Sequence, residues 1–415
     1  MTHLTVTEHP LREDLRTEIE TLGRSLRRPL LAVLTAIAGG PPRPARIVRA
    51  IGLDKSLASR FVRAVQTDSD LELMYVVPSP EGLRMLAERA SDLAGPDLTQ
   101  ELLAVIQRFE LLLDRIPGGR ASIDAQISEE SSDVRERSEH AARQAAFKSM
   151  SFLLGHYCET LSTTLFCVPA ANGRMVDAIE VQRRIGLRRL RPATPLPLLS
   201  FYYLPEDVTP GETISFESIH GAKRSDSPDD YLLREFSTNP LPELAVMRDG
   251  PISTLVLPGD PSVIAPTQLT SAFHIRNAWP LVPDERVVDV RGYILHMPTR
   301  RLVRDVYVAD GLWSGATPRV TYLLPGPRGE TPRPDDDGLR HYANVNLSAP
   351  IETLPASSKA YSLPGSSNHD AAIRHVLERS GHAQTSFHGW RCAIMYPVPM
   401  MEMMWWLIHP GTRQK

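Results

Sequence analysis

The chain has 415 residues and a formal net charge of −3, with 42% hydrophobic and 23% charged residues. These fractions are typical of a folded protein and exclude wholesale disorder. A chain of this length exceeds the size at which one hydrophobic core usually stops growing, so two or three domains are expected.

The polar N-terminal stretch from Met1 to Pro10 and the absence of any long apolar run predict a protein that is neither secreted nor membrane-spanning. The three cysteines, Cys158, Cys167 and Cys392, form no closely spaced pair, so neither a disulfide framework nor a cysteine-rich zinc site is expected. A cytoplasmic location fits both observations.

The first predicted domain covers residues 1–94. A helix is predicted over 11–38, because its second half repeats apolar residues at intervals of three and four and Gly39-Gly40-Pro41-Pro42 then ends it. Two short helices are predicted next, then a strand from Leu71 to Val77 and a helix from Gly82 to Leu93.

Residues 95–161 are predicted to form a helical linker or dimerisation region. Apolar residues from Leu98 to Ile116 form a wide helical face, which can pack within its own protomer or against a second copy. A polar linker is expected from Ser128 to Arg143, followed by a helix from Ala145 to Leu161.

Residues 162–415 are expected to form a mixed α+β domain that acts as a sensor or interaction module. Asn172-Gly173 is the strongest short hairpin signal. A second hairpin is predicted from strands over 286–297 and 302–308. Asn368 is predicted to cap a helix over 369–380 that Gly381 closes. The remaining predictions are strands over 319–324, 390–396 and 400–408 and a solvated loop over 326–338.

Arg43 to Thr67 carries the one motif with a clear mechanism. Gly52 follows a short apolar-edged helix at the point where a helix-turn-helix needs a left-handed residue, and Asp54 can cap the next helix. On that second helix five apolar side chains share the inner face: Leu57, Ala58, Phe61, Val62 and Val65. Small polar and basic groups remain outside, as on a helix that enters the major groove of DNA.

The local charge favours the same interpretation. Between Arg24 and Arg63 there are nine basic residues and one acid, Asp54. Phosphate binding draws on such an excess, whereas a merely solvated helix face usually mixes both signs. The predicted DNA-contacting residues are Arg43, Arg46, Arg49, Lys55, Ser56, Ser59, Arg60 and Arg63.

Residues 24–90 resemble the winged helix-turn-helix regulators of the MarR and IclR type. The matching residues are Gly52-Leu53, Ser56, Ser59-Arg60 and Pro80-Glu81-Gly82, and the run from Tyr75 to Leu83 resembles a short β-wing. The chain departs from the pattern at Pro44 and in a wing without a glycine at its tip. The resemblance implies a winged helix fold and a role in transcription regulation.

A second basic stretch runs from Arg174 to Arg191, with six arginines against two acids. It predicts either contact with nucleic acid or an anionic ligand, or a solvated strand edge protected by charge.

Two further clusters lie near the C-terminal end of the sequence. His369, His375, His382 and His388 match no defensible metal-site spacing, so exposed or hydrogen-bonded histidines are expected. The Met- and Trp-rich run over 400–408 predicts a buried central strand, or a pocket or subunit interface.

The sequence as a whole predicts a cytoplasmic, homodimeric regulator that binds double-stranded DNA, responds to a small-molecule or protein effector, and uses no cofactor or metal. One alternative is an adaptor that uses its winged helix to bind protein. Another is an enzyme with an unrecognised site in residues 145–415, although no catalytic motif is found.

Overall fold

The structure is a computed structural model that describes residues 11–130, 132–202, 214–221, 227–250, 252–260, 265–282, 287–289, 292–324, 345, 347, 349–355 and 361–409. The chain divides into two compact units, Met1–Ala141 and Ala142–Lys415. The first is helical and the second is rich in β-sheet, so the protein is of mixed α and β class. Within the described residues, no helix has the length and apolar character needed to cross a membrane.

The N-terminal unit is built around one long helix with a fully buried stripe. Leu26, Leu30 and Leu34 of this first helix have no exposed surface or almost none, which is the outcome expected of apolar residues spaced four apart. The helices are α1 (Leu11–Ala38), α2 (Pro44–Ile51), α3 (Lys55–Val65), α4 (Asp70–Val76), α5 (Pro80–Ala94), α6 (Pro96–Arg115), α7 (Gly119–Glu130) and α8 (Ser132–Leu154), and the division between the units falls within α8.

The predicted strand over 71–77 and the predicted β-wing from Tyr75 to Leu83 are wrong, because this stretch is helical. Ser69 caps α4 by accepting a hydrogen bond from the Glu72 N–H at 2.9 Å. Gly23 lets α1 approach α4, since a Cβ there would clash with the backbone carbonyl oxygen of Asp70. Ser79 caps α5, and Pro80 takes the first helical position. Within residues 11–130 the structure contains no strand.

The apolar face of α6 packs inside its own unit. Leu102, Ile106 and Phe109 are fully buried in the core that α1 and α5 share. Leu111, in contrast, is 63% exposed. Of the two alternatives for this face, packing within the protomer is the one observed.

The predicted helix over 145–161 ends earlier than expected. Gly155 adopts a left-handed conformation, with φ of +75°, and stops α8 after Leu154. The next residue begins a strand that includes Leu161. The polar stretch from Ser128 to Arg143, predicted as a linker, is helical wherever the structure describes it.

Among its described residues, the C-terminal unit contains three sheets, the end of α8 and one further α-helix. The elements are β1 (His156–Pro169), β2 (Met175–Arg189), β3 (Leu196–Tyr202), β4 (Ser215–Ser218), β5 (Ala245–Asp249), β6 (Ile252–Leu257), β7 (Thr267–Pro280), β8 (Val287–Asp289), β9 (Tyr293–Ile294), β10 (Thr299–Ala309), β11 (Thr317–Leu323), β12 (Ile351–Leu354), α9 (His369–Arg379), β13 (Phe387–Met395) and β14 (Glu402–Ile408). The largest sheet has seven strands in the order β12-β13-β10-β1-β2-β7-β4, with β1 and β10 parallel. A second sheet has the order β11-β14-β8, with β9 also paired to β14, and a third has the order β3-β6-β5.

Both faces of the large sheet are buried. Phe166 and Tyr307 point to the face that α9 covers, where they pack with Ile373. Leu165 and Val306 share the other face with residues of the two smaller sheets. Strands buried on both faces explain the near-continuous apolar runs in this half of the sequence.

The hairpin predicted around 298–301 is wrong. Thr299 already belongs to β10, which pairs with β1 and β13, whereas β8 and β9 pair with β14. Residues 298–301 contain no glycine for the left-handed positions of a tight turn, and the Pro298 carbonyl instead accepts a hydrogen bond from the Cys158 N–H.

Other expectations about this unit are confirmed. Asn172-Gly173 forms the turn between β1 and β2, and β14 is a buried central strand on which Trp405 has no exposed surface. The helix after Asn368 is present as α9, but the Asn368 side chain accepts from Arg183 rather than capping it. The predicted loop over 326–338 lies outside the described residues.

Candidate nucleic-acid interface

A tight turn joins α2 to α3. Gly52 adopts a left-handed conformation with φ of +62°, and its N–H donates to the Val48 carbonyl at 2.9 Å. Leu53 is buried in the core of the unit. Arg89 of α5 donates to the Gly52 carbonyl at 2.7 Å, so α5 holds the turn in place.

The second helix of the pair is capped as the sequence predicts. Asp54 accepts hydrogen bonds from the N–H groups of Ser56 and Leu57. The hydrogen bond from the Ser56 hydroxyl, and then those from the two N–H groups, lower the pKa of its carboxyl group. Ala58 and Phe61 are fully buried and Val62 almost so, whereas Leu57 and Val65 are half-buried. The cap sets the start of α3 and the buried residues set its orientation, so together they determine which side chains of α3 are exposed.

Two arginines lie on one side of α2 and a third immediately precedes the helix. Arg43, Arg46 and Arg49 are spaced three residues apart and all are exposed, which places them near one another along the helix surface. The Arg46 guanidinium lies 3.5 Å from the Ala38 carbonyl at the end of α1.

The outer face of α3 carries Lys55 and Arg63, both exposed. Ser56 is exposed but its hydroxyl donates to Asp54, so the helix cap uses it; Ser59 is half-buried. Within the described part of the chain, no carboxylate lies within ion-pair distance of Arg43, Arg49, Lys55 or Arg63. The two helices therefore expose cationic groups whose charge is not balanced locally.

Arg60 faces differently from the other predicted contact residues. Its guanidinium reaches the end of α4, where it lies 3.5 Å from the Val76 carbonyl and 3.4 Å from that of Val77. Burial lowers its pKa, and the nearby Arg120 lowers it further. Arg60 therefore supports the packing of α3 against α4.

Part of the positive charge counted in the sequence is neutralised within the unit. Arg27 donates to Asp70 at 2.7 Å and to the carbonyls of Thr67 and Ser69. Arg24 lies 3.6 Å from the same carboxylate. The sequence window from 24 to 63 did not include Asp70. The excess of positive charge counted in that window is therefore too large, because Asp70 neutralises part of the charge of Arg24 and Arg27.

Two residues that organise this surface were missed by sequence analysis. Arg89 fixes the turn, and Arg120 occupies the end of α4 beside Arg60. Both lie outside the motif, and no spacing rule links them to it.

The four clustered histidines do not converge. His375 contacts Glu235 at 3.0 Å, His382 contacts Thr385 and His388 contacts Asp310, both at 3.2 Å, while His369 is buried. Across the described ranges, no group of three potential metal ligands is found. The cysteines are free, buried thiols, and burial raises the pKa of Cys158 to about 12.

Comparisons with known proteins add little. No protein-family model matches the chain, and no curated protein matches it either. Among solved structures, the chain is similar to a crystal structure from Parabacteroides distasonis ATCC 8503 described there as a "putative protease". The identity is 9% and the TM-score 0.26, over 62% of this chain and 41% of that one. The chain thus spans less than half of that protein, and a likeness this small carries no argument about fold or activity.

Proposed function

We propose that α2 and α3 form a helix-turn-helix that binds double-stranded DNA, and that the chain is a sequence-specific transcription regulator whose C-terminal unit is the sensor. The observation that carries this proposal is the exposed cationic surface formed by Arg43, Arg46, Arg49, Lys55 and Arg63, which we call the basic face. Within the part of the chain that the structure describes, Arg46 is the one member of the basic face with a hydrogen bond, and its acceptor is the neutral Ala38 carbonyl.

The charge distribution on the basic face favours a polyanionic partner. A solvated helix surface usually carries both signs, and its arginines pair with acids three or four residues away. Asp54 is the acid between Arg43 and Arg63, and the N–H groups of α3 already bind its carboxylate. Phosphates of a duplex would supply the missing negative charges and release counterions.

Sequence preference is assigned to the outer face of α3. In a helix-turn-helix the N-terminal part of the second helix reaches base edges, while flanking residues position the protein on phosphates. Ser59 lies on this face between Lys55 and Arg63. We therefore assign base contacts to Ser59 and phosphate contacts to Arg49 and Arg63.

Fluorescence anisotropy of the full chain with mixed-sequence duplex DNA at about 50 and 200 mM salt tests this proposal. Affinity should fall steeply with salt. Arg63→Ala and Arg49→Ala should each weaken binding and reduce the salt slope by about one unit. The matched control is Arg108→Ala on α6, an exposed arginine of the same unit outside the basic face.

The Arg108→Ala control distinguishes binding of DNA at the basic face from nonspecific attraction of DNA to any exposed arginine of the unit. If Arg108→Ala weakens binding as much as Arg63→Ala does, the basic face is not the DNA site. If the chain binds no DNA, the proposal fails, and use of the helical unit to bind a protein becomes the leading hypothesis. Selection from randomised duplexes with wild type and Ser59→Ala then tests whether α3 reads bases.

The homodimer remains a prediction. The buried face of α6 is used within the protomer, so the dimer contact has to lie elsewhere. Light scattering of the free chain and of its DNA complex measures the oligomeric state directly.

A further inference from the structure

Arg183 and Arg184 are consecutive residues of β2, and both are buried. Their relative exposures are 0% and 3%, although sequence analysis gave a solvated strand edge as one alternative for this stretch. That alternative is wrong, because β2 lies inside the seven-stranded sheet between β1 and β7. Successive strand residues point to opposite faces of the sheet, so the two guanidinium groups lie on different faces.

Among the described residues, the hydrogen-bond partners of Arg184 are uncharged. Its Nη2 donates to the Gln182 side-chain oxygen at 3.1 Å and to the Leu198 carbonyl. Its Nε is buried and has no hydrogen-bond partner among the described residues. A buried cation without a counter-charge is unfavourable, and such groups normally pair with an anion.

Glu180 lies on the same sheet face as Arg184, and an arginine already partners its carboxylate. Glu180 accepts from Gln182 at 2.9 Å, and its carboxylate lies 3.8 Å from the guanidinium of the fully buried Arg304. Among the described residues, no carboxylate lies within ion-pair distance of Arg184.

Arg184 lines a cavity of about 180 Å³. Glu180, Gln182, Ser200 and His296 contribute the other polar groups, and Leu198, Phe216, Phe273 and Tyr293 contribute apolar and aromatic walls. Burial lowers the pKa of His296, and Arg184 lowers it further, so the imidazole is neutral and adds no second charge. A cavity of about 150 Å³ holds one benzene ring, so the space suits a small molecule rather than a nucleotide.

We propose that this cavity binds a small organic carboxylate with an apolar body, whose carboxylate pairs with Arg184 and whose body contacts Phe216, Phe273 and Tyr293. The carboxylate of the ligand would supply the counter-charge that the Arg184 guanidinium does not have among the described residues. The proposal concerns the C-terminal unit alone and does not depend on DNA binding by the basic face.

Isothermal titration calorimetry of the full chain without DNA tests the site, with phenylacetate as the probe and phenylacetamide and inorganic phosphate as comparisons. Phenylacetate should bind saturably, and the neutral amide and the purely ionic phosphate should each bind at least tenfold more weakly. Arg184→Gln should weaken phenylacetate binding at least tenfold, and Arg184→Lys should recover part of the loss because it restores the charge.

Two further variants keep the test decisive. Arg188→Gln alters an exposed arginine of the same strand and should leave the affinity unchanged. Ser200→Trp, at an exposed position that lines the cavity, should block binding with Arg184 intact, so a folding defect in the Arg184 variants cannot decide the result. Equal affinity for the amide, tighter binding of phosphate, unchanged binding in Ser200→Trp, or no binding at all would each overturn the proposal.

Discussion

Arg60 and Arg120 share one acceptor, the carbonyl oxygen of Val77 at the end of α4. Their Nη2 atoms lie 3.4 and 3.3 Å from it, and Arg120 also donates to the carbonyls of Met74 and Tyr75, both at 2.7 Å. The last carbonyls of a helix have no partner within the helix, and cations are favoured there. Asp124, at 2.8 Å from Arg120, balances part of the charge.

This arrangement predicts that Arg120 contributes to stability and Arg63 to DNA binding. Arg120→Ala leaves the carbonyls of Met74 and Tyr75 without their charged donor and that of Val77 with Arg60 alone, and we expect a loss of about 1.5–3 kcal/mol in the free energy of unfolding. Arg63→Ala should change stability by less than about 0.5 kcal/mol. Urea denaturation followed by circular dichroism at 222 nm measures both.

Arg60→Ala should lose about 1 kcal/mol of stability because its contacts with the end of α4 are longer, and it can change DNA binding indirectly by loosening α3. DNA affinity in this variant is therefore interpretable only beside its unfolding curve. If Arg120→Ala unfolds like the wild type, the guanidinium does not hold the end of α4 in solution.

Gly52 and Gly23 should tolerate alanine differently. A Cβ on Gly52 meets nothing within 4 Å, so Gly52→Ala costs only the left-handed backbone conformation, about 1 kcal/mol. Gly23→Ala would clash with the Asp70 carbonyl, which forces α1 and α4 apart, and we expect a loss above about 2 kcal/mol.

The same denaturation measurement separates the two mechanisms. Gly52→Asn should recover part of the Gly52→Ala loss, because asparagine tolerates the left-handed region better than alanine does. A Gly23→Ala variant as stable as the wild type would contradict the close crossing of α1 and α4.

Local signals explain which elements the sequence could predict. The Leu-rich spacing and Gly39-Gly40-Pro41-Pro42 determine α1, and Asp54 determines the start of α3. The stretch over 71–77 was misassigned because its apolar residues partly alternate as in a strand, whereas the Ser69 cap and burial against α1 make it helical.

Long-range contacts explain most of the rest. Arg60 is an exposed residue of α3, and the sequence does not show that its guanidinium reaches the Val77 carbonyl, which Arg120 of α7 also contacts. The cavity beside Arg184 depends on β2, β7, β9 and the segment around Leu198 meeting in space. No periodicity in the sequence predicts that these four segments lie together around one cavity.

Acid should destabilise the C-terminal unit through His369. Burial, together with the nearby charges of Arg183 and Arg391, lowers the pKa of this imidazole to about 3. Between about pH 3 and the ordinary value of 6.5, the unfolded chain binds a proton that the folded chain does not. Stability is therefore fully present above pH 6.5 and is lost as the pH falls, by up to about 1.4 kcal/mol per pH unit.

His369→Leu tests this pH dependence. Neither ring nitrogen of His369 has a hydrogen-bond partner among the described residues, so leucine should be tolerated at pH 7. The variant should lose less stability than the wild type between pH 6.5 and 4.5. Tryptophan fluorescence is the suitable probe, because all five tryptophans lie in residues 142–415. The exposed His220→Gln serves as control, and parallel pH profiles for wild type and His369→Leu would refute the prediction.

Asp305 and Arg391 form a buried ion pair across β10 and β13. Two hydrogen bonds of 2.7 Å join the guanidinium to the carboxylate, and the side chains are 1% and 8% exposed. Removing one partner of such a pair leaves an unpaired buried charge, so Asp305→Ala should cost about 3–5 kcal/mol.

Replacing both charges should cost less than the sum of the single losses. We expect Asp305→Ala/Arg391→Met to recover several kcal/mol relative to that sum, because neither charge remains to be desolvated. A double-mutant cycle of urea denaturation, read by tryptophan fluorescence at pH 7, gives the coupling energy. Additive losses would mean that the two side chains act independently, and the stability of the α9-covered face would then come from apolar packing alone.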